Sequence, residues 1–377
     1  MRRPDVVVVG GGAIGLAVAW RATAAGLTVE VVDPAPGRGA SWAAAGMLAP
    51  VTEVHYGEES LLGLNLASAR RYPSFVAELE EAAGRPAGYR RCGTLAVAAD
   101  NDDNRALGEV IDFQRRLGLE VERLTARQCR QLEPALAPSV RGGARVEGDH
   151  QVDPRTLLSA LLGACGNTGV AFTTERVASV EVAGGRATGV RLASGTLVTS
   201  GSVVLAAGAW SPAIVPQGWS VPVRPVKGQI LRLRHRGGRA ILSGNLRGLV
   251  GGSQVYLVPR SDGRLVVGAT AEEMGFDPAV TAGAVLELLT DACALVPDVA
   301  ELELVETSAA FRPGTPDNAP LIGPSSLDGL SLATGHFRNG ILLTPVTADA
   351  IAEHLVSGQL PDVAAPFTPL RFARSVA

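Results

Sequence analysis

Asp5-Val-Val-Val-Val-Gly10-Gly-Gly12-Ala-Ile-Gly15 stands near the start of the chain, and an apolar stretch to Ala25 and then Gly26 leads into Leu27-Thr-Val-Glu-Val-Val-Asp33. The stretch predicts a strand, a glycine turn, a helix and a second strand ending on an acid, the βαβ unit that takes the ADP half of a dinucleotide. Val6 to Val9 is a continuous β-branched run, as a strand buried on both faces of a parallel sheet requires. Gly10 permits the tight turn, Gly12 lets backbone approach a pyrophosphate, and Gly15 lets the helix close on the sheet. The unpaired N–H groups and positive dipole end of that helix then face the phosphates. Ile14, Val18, Ala22 and Ala25 predict one apolar helical stripe, with Gly26 at the C-terminal cap. Asp33 ends the second strand, where a carboxylate accepts from ribose hydroxyls. An acid there favours the unphosphorylated ribose of NAD or FAD over NADP.

The chain has 377 residues, 46% of them apolar, enough for two domains or one large composite one. Its net charge of −3 comes without a polybasic block or an aromatic-interleaved basic stretch, so nucleic acid and anionic membranes are not expected partners. Cys92, Cys129, Cys165 and Cys293 are widely spaced with no C-x-x-C, and read as reduced, small hydrophobes of a cytoplasmic protein. Arg2-Arg3 before an apolar stretch has the outline of a signal sequence, but glycines interrupt it and Asp5 opens it, so it reads as structure. No run of 18 apolar residues predicts a membrane span. His55, His150, His235 and His354 are dispersed without ligand spacing; they read as structural, and no metal site is expected.

Pro34 to Pro50 is a loop of small residues containing Ser41-Trp-Ala-Ala-Ala-Gly46-Met47, which lets a flat ligand lie against the backbone. Helices are predicted over Leu61 to Ala83 before Gly84, over Asp102 to Leu117 before Gly118, from the capping box Thr125-Ala-Arg-Gln128, and from Pro154 to about Cys165. Gly184-Gly185 and Gly195 mark the turns of a β-meander, and Val203 to Ala207 predicts another buried strand ending at Gly208. From Val221 to about Phe311 the pattern changes to longer, more polar strands, including Gly228 to Arg234, Gln254 to Pro259 and Leu265 to Ala269, with one helix from about Thr281 to Leu295. These predict a separate antiparallel layer. Leu330 to Leu343 returns to strand, glycine loop and helix.

Several motifs join the N-terminal fingerprint: Ala43-Ala-Ala-Gly46-Met47, Val226-Lys-Gly228, Tyr256-Leu-Val-Pro259, Gly268-Ala-Thr270, Phe311-Arg-Pro-Gly-Thr315-x-Asp317 and Gly335-His-Phe-Arg338-Asn-Gly340. In this order, and over essentially the whole chain, they resemble the glycine oxidase (ThiO-like) branch of the D-amino-acid oxidase family. The resemblance implies an α/β fold. A Rossmann-like FAD-binding domain of the glutathione-reductase-2 type would comprise 1–88, 148–220 and 310–377, with a mostly antiparallel β substrate domain inserted as 89–147 and 221–309. It also implies FAD as cofactor, a small amine or amino acid and O2 as reaction partners, and an imine product of the kind used for thiamine thiazole synthesis. A homo-oligomer is compatible with it.

Direct hydride transfer from an amine Cα–H to a flavin asks the protein for orientation rather than for a nucleophile or metal. An α-amino carboxylate is best fixed by a bidentate guanidinium, and Arg312 matches the family's carboxylate-binding arginine. Taken alone, it reads as a surface ion-pair arginine. Tyr256 matches the tyrosine that aids carboxylate binding, and Arg338 falls in the C-terminal loop, where the resemblance places it against the substrate pocket. For the cofactor, the resemblance carries over to Gly10, Gly12, Ala13, Ile14, Gly15 and Asp33, and to Ala40, Ser41, Ala45, Gly46 and Met47 over the isoalloxazine. It extends to Val177 near adenine, to Gly208, and to His336, Phe337, Arg338, Asn339, Gly340, Ile341 and Leu342, whose backbone meets the flavin N1 and C2 carbonyl.

Two departures bear on the pocket, otherwise walled by Gly46 and Met47. Gln254 stands where a histidine is expected, and Ala271 where a methionine follows Gly268-Ala-Thr270. The segment His235 to Gly252 is also short and glycine-rich. A larger amine substituent is therefore expected to fit, such as the N-carboxymethyl amines met in natural-product biosynthesis. No cysteine follows Cys293, so non-covalent FAD is expected. The competing readings are a flavin dehydrogenase passing electrons to a quinone or carrier protein, an NAD-dependent dehydrogenase, and a non-catalytic nucleotide sensor.

Overall fold

Val6–Val9 lies inside a six-stranded sheet, in a computed structural model that describes residues 3–372. The strand order is Leu321–Pro324, Leu330–Thr334, Ser202–Leu205, Val6–Val9, Val29–Val32 and Ala171–Thr173. All neighbours are parallel except the outermost pair, Leu321–Pro324 with Leu330–Thr334. Strand alternation divides the valines. Val6 and Val8 pack into a core with helices Ala13–Ala24, Pro154–Thr168 and Thr344–Ser357, whereas Val7 and Val9 pack beneath the meander Val177–Ala183, Arg186–Leu192 and Leu197–Thr199. Both faces are covered, which explains the unbroken apolar run.

Helix Ala13–Ala24 departs from the expected single stripe. Ala13, every residue from Gly15 to Trp20, and Ala22 are buried, while Ile14 is half-buried and Ala25 is exposed. Two further helices, Pro154–Thr168 and Thr344–Ser357, pack on it as well as the sheet, so it is enclosed rather than half-exposed. A helix apolar all round belongs in that position. Gly15 permits its closest approach: a Cβ there would overlap the Gly10 carbonyl.

Local signals place the other helices. Glu59–Ala83 ends on left-handed Gly84, and Thr125 closes a full capping box with Gln128. Asn101–Arg116 begins where the Asp100 side chain accepts from Asp102 and Asp103 N–H. Pro154–Thr168 runs three residues beyond Cys165 before left-handed Gly169 ends it, with Thr168 Oγ1 donating to the Ala164 carbonyl. Among the described residues no helix is long and apolar enough to cross a membrane.

The second layer is an eight-stranded sheet in the order Glu303–Gly314, Arg224–Arg234, Arg264–Gly268, Ser253–Pro259, Asn245–Val250, Thr94–Ala98, Gly142–Val146 and Glu122–Thr125. Strands from 94–146 and from 224–314 thus share one sheet, joined where Asn245–Val250 runs parallel to Thr94–Ala98; its other pairings are antiparallel. Asn245–Val250 arises within the glycine-rich stretch that gave no strand signal. Strand Glu303–Gly314 continues past 309, where a boundary was expected, so Arg312 belongs to the large sheet.

Two buried arginines tie the layers together. Arg232 Nη2 donates to the carbonyls of Ala43 at 2.8 Å and Trp42 at 3.1 Å, and Arg260 Nη2 donates to Ala45 O at 2.5 Å. Burial pushes both guanidinium groups down to about 10, so they stay charged at neutral pH beside Asp153 and Glu306. Arg232→Met strands these carbonyls in the seam and is expected to lower stability by about 2–4 kcal/mol, read as an earlier denaturant midpoint. A midpoint unchanged from wild type would show that the seam is held elsewhere.

Candidate active site

A single cleft of about 1200 Å3 begins at the glycine turn and ends against the large sheet. Its first part is made of backbone. Gly10 has φ +109°, and a Cβ on it would strike Ala206. Gly12 caps the helix without a side-chain bond; Ser41 Oγ lies 3.0 Å from Ala13 N. Asp33 lines the cleft with its carboxylate already shaped by two donors, Gly11 N and Ala35 N, each at 2.7 Å. Its expected role toward ribose hydroxyls therefore falls to the remaining lone pairs. Val177 and Gly208 complete this end.

The middle is the loop of small residues. Ala40, Ser41, Ala45, Gly46 and Met47 line the cleft from one side, and Gly208, His336, Phe337, Arg338, Gly340 and Ile341 from another. Gly46 has φ +82°, and a Cβ there would overlap the Val152 carbonyl. Ala45 and Met47 pack on Ile230, Val258 and Val266, so the loop is seated directly on the large sheet. His336 is buried with Nε2 3.0 Å from Thr347 Oγ1, and burial pushes its pKa down to about 3, leaving a neutral ring. Helix Thr344–Ser357 starts directly after this loop with no side-chain cap. Ala13, Gly15, Asn339 and Leu342 do not line the cleft. They act from behind it: Gly15 through helix packing, Leu342 through its carbonyl, which accepts from Ser68 Oγ at 2.6 Å.

The far end carries the side chains expected to meet a substrate. Arg312 Nη1 donates to the Thr270 carbonyl at 2.9 Å, and its guanidinium lies over Gly228, where any Cβ would collide with it. Among the described residues no carboxylate pairs with Arg312. The Tyr256 hydroxyl sits beside this guanidinium over Gly268, and burial raises its pKa above the ordinary 10, so it remains a donor. A half-buried guanidinium without a counter-ion, next to a phenol, is a site for a carboxylate. Gln254 and Ala271 are exposed along the same cleft. Arg338 lines it too, but Glu58 already pairs with its guanidinium through Nη2, while its buried Nε has no partner. The Arg338 charge is thus matched by Glu58, whereas that of Arg312 has no carboxylate beside it.

Sequence reasoning missed several groups here. Glu53, His55 and Arg247 line the cleft, and Arg247 Nη1 bonds Glu53 Oε1 at 2.6 Å. His55, read as structural, is a cleft residue whose pKa is lowered by burial and the nearby Arg338. Lys227, wholly buried, pairs with Asp277 at 2.9 Å and Glu272 at 3.9 Å, holding the segment whose Thr270 carbonyl orients Arg312. Glu53, His55 and Arg247 have no local motif of their own, and Lys227, although within the motif Val226-Lys-Gly228, acts through partners some fifty residues away. None of the four cysteines lines the cleft.

The backbone turn, the capless helix ends and the length of the cleft fit an extended dinucleotide, and comparison with known proteins identifies which one. Residues 5–354 match the family model described as DAO: FAD dependent oxidoreductase. The bifunctional protein ThiO/ThiG of Synechocystis sp. is 36% identical over 98% of this chain; the chain spans about half of that relative's length, 54%. Glycine oxidase of Geobacillus kaustophilus is 33% identical over 98% of this chain and 97% of its own. Its crystal structure superposes with a TM-score of 0.89 at 32% identity, covering 98% of this chain and 99% of that one. An iminodiacetate oxidase structure from Chelativorans sp. gives a TM-score of 0.85 at 28% identity, covering 97% and 98%. The chain belongs to the DAO family of FAD-dependent oxidoreductases.

Proposed function

We propose that this chain oxidises glycine or an N-substituted glycine. Arg312 carries the reading: a guanidinium without a counter-ion, oriented by Thr270 and flanked by Tyr256, at the end of the cleft that begins with the dinucleotide turn. Gly10, Gly12, Ile14, Asp33 and Ser41 would hold the nucleotide half, and Gly46, Met47 and the His336 to Ile341 loop the isoalloxazine. FAD, when bound, supplies the hydride acceptor. Arg312 and Tyr256 fix the substrate carboxylate, which turns the adjacent Cα–H toward the Gly46-Met47 wall. With O2 as final acceptor, glycine, O2 and water yield glyoxylate, ammonia and hydrogen peroxide. The open wall at Gln254 and Ala271 supports bulkier N-substituents, as does similarity to the iminodiacetate oxidase.

Peroxide release with sarcosine tests the reaction itself, and flavin reduction without peroxide would make the chain a dehydrogenase. Arg312→Leu is expected to lower kcat/KM for sarcosine about 100- to 1000-fold, mainly through KM, with Arg312→Lys intermediate. A loss below about 5-fold would remove Arg312 from the site. Because a protonated amine has no lone pair to release as hydride leaves, kcat/KM should rise from about pH 6 toward pH 10. Tyr256, with its pKa raised, keeps its proton through that window, so no opposing fall is expected; a flat profile would contradict this. Since no cysteine lines the cleft, acid precipitation should release the yellow chromophore, and flavin retained on the denatured chain would refute non-covalent binding.

A further inference from the structure

Arg247 is a second guanidinium within the cleft, and it lies beside the same phenol as the first. In the large sheet Arg247 is directly opposite Tyr256, which is in turn opposite Gly268, so the three share one row, and Arg247 and Tyr256 both line the cleft. Directly opposed side chains start about 5 Å apart. Arg312 reaches Tyr256 from the other direction, and both guanidinium charges act on the Tyr256 hydroxyl. Two arginines therefore flank one tyrosine.

Their charges are treated differently. Arg312 has no carboxylate partner, while Arg247 is matched by Glu53, with side chains 16% and 14% exposed. A pair this sheltered contributes little net stability, because desolvation offsets the attraction. Its geometry nevertheless leaves capacity: Nη1 serves Glu53, Nη2 makes only a 3.3 Å bond to the exposed Gln254 amide oxygen, and a guanidinium has five N–H donors. Glu53 is held in place because its neighbours Val51 and Thr52 donate backbone N–H to buried Asp149. It is thus a fixed anion beside a cation that still has donors to give.

We propose that Arg247, with Gln254, forms a second carboxylate subsite. Amines carrying a carboxylate on each side of the nitrogen, namely iminodiacetate and longer N-carboxymethyl amino acids, are then read at both ends, and Glu53 weakens that reading. The inference rests on Arg312 as the reader of the first carboxylate. For iminodiacetate, one Cα–H leaves as hydride to the flavin and water cleaves the resulting C=N bond. Iminodiacetate, O2 and water give glycine, glyoxylate and hydrogen peroxide, with O2 taking the two electrons.

The test uses inert ether isosteres on the FAD-loaded protein: diglycolate for iminodiacetate and methoxyacetate for sarcosine, with affinity read by calorimetry. Wild type is expected to bind diglycolate about ten-fold or more tightly than methoxyacetate, since the extra contact is charge-assisted. Arg247→Met should bring the ratio near one, and Glu53→Gln should widen it; the ratio of kcat/KM for iminodiacetate over sarcosine should move the same way. General damage to the site would not shift two neighbouring variants in opposite directions. If Arg247→Met does not hold FAD, Glu53→Gln decides, and a ratio that narrows or stays put in it overturns the subsite. A wild-type ratio near one also overturns it. Failure to oxidise sarcosine with diglycolate still preferred would instead sink the proposed reaction and leave the subsite standing.

Discussion

Arg232 and Arg260 hold the backbone of Trp42 to Ala45 by its carbonyls, and the site is built around that grip. The loop is nearly side-chain-free from Ala43 to Gly46, so packing alone gives little to position it. Its carbonyls are strong handles; Arg232 comes from the sheet that carries Tyr256 and Arg312, and Arg260 directly follows the strand Ser253–Pro259 of that sheet. The small-residue loop and the side chains proposed to meet a substrate are therefore referenced to one surface. Burying cations there is costly, and Arg155 with Glu306 at 2.6 Å and Arg264 with Asp153 at 3.0 Å surround them with alternating charge.

The two ends of the cleft use different chemistry. Where a dinucleotide's phosphates would lie, a helix N-terminus and close backbone would do the holding, and side chains are excluded by geometry at Gly10 and Gly15. At the sheet end, side chains act and charge is rationed. Arg338 and Arg247 are each neutralised by a glutamate, and Arg312 alone among the three is left free, held instead by a carbonyl that the buried Lys227 network keeps in place. Orientation by a neutral acceptor leaves the positive charge for the ligand.

Much of this was readable from local pattern. The glycine turn, the capping box at Thr125, the Gly84 stop and the meander turns are short-range, and each depends on residues within a few positions. Arg312 and Tyr256 were found through motifs whose flanking residues turn out to be structural: Gly228 and Gly268 make room for the guanidinium and the phenol. Long-range pairing was not readable. Arg247 to Glu53 and Arg338 to Glu58 join residues about two hundred or more positions apart, and Arg247 sits on a strand whose Gly248, with Gly244 and Gly251 at its ends, suppresses strand propensity. The helical stripe at Ile14 to Ala25 failed for a related reason. An alanine-rich helix shows no polar face when three layers enclose it, and two of those layers are supplied by helices about 140 and 330 residues downstream.

The interleaving of the two sheets also orders the birth of the protein. Thr94–Ala98 waits for Asn245–Val250 to become its partner, and the neighbour of Ser202–Leu205 is Leu330–Thr334. Neither layer is complete until the last fifth of the chain exists, so the N-terminal βαβ unit leaves the ribosome with one flank of its sheet open. Such high contact order slows folding and exposes unpaired strand edges meanwhile. A nascent chain of this design has its glycine turn long before the 336–341 loop that would close on a flavin.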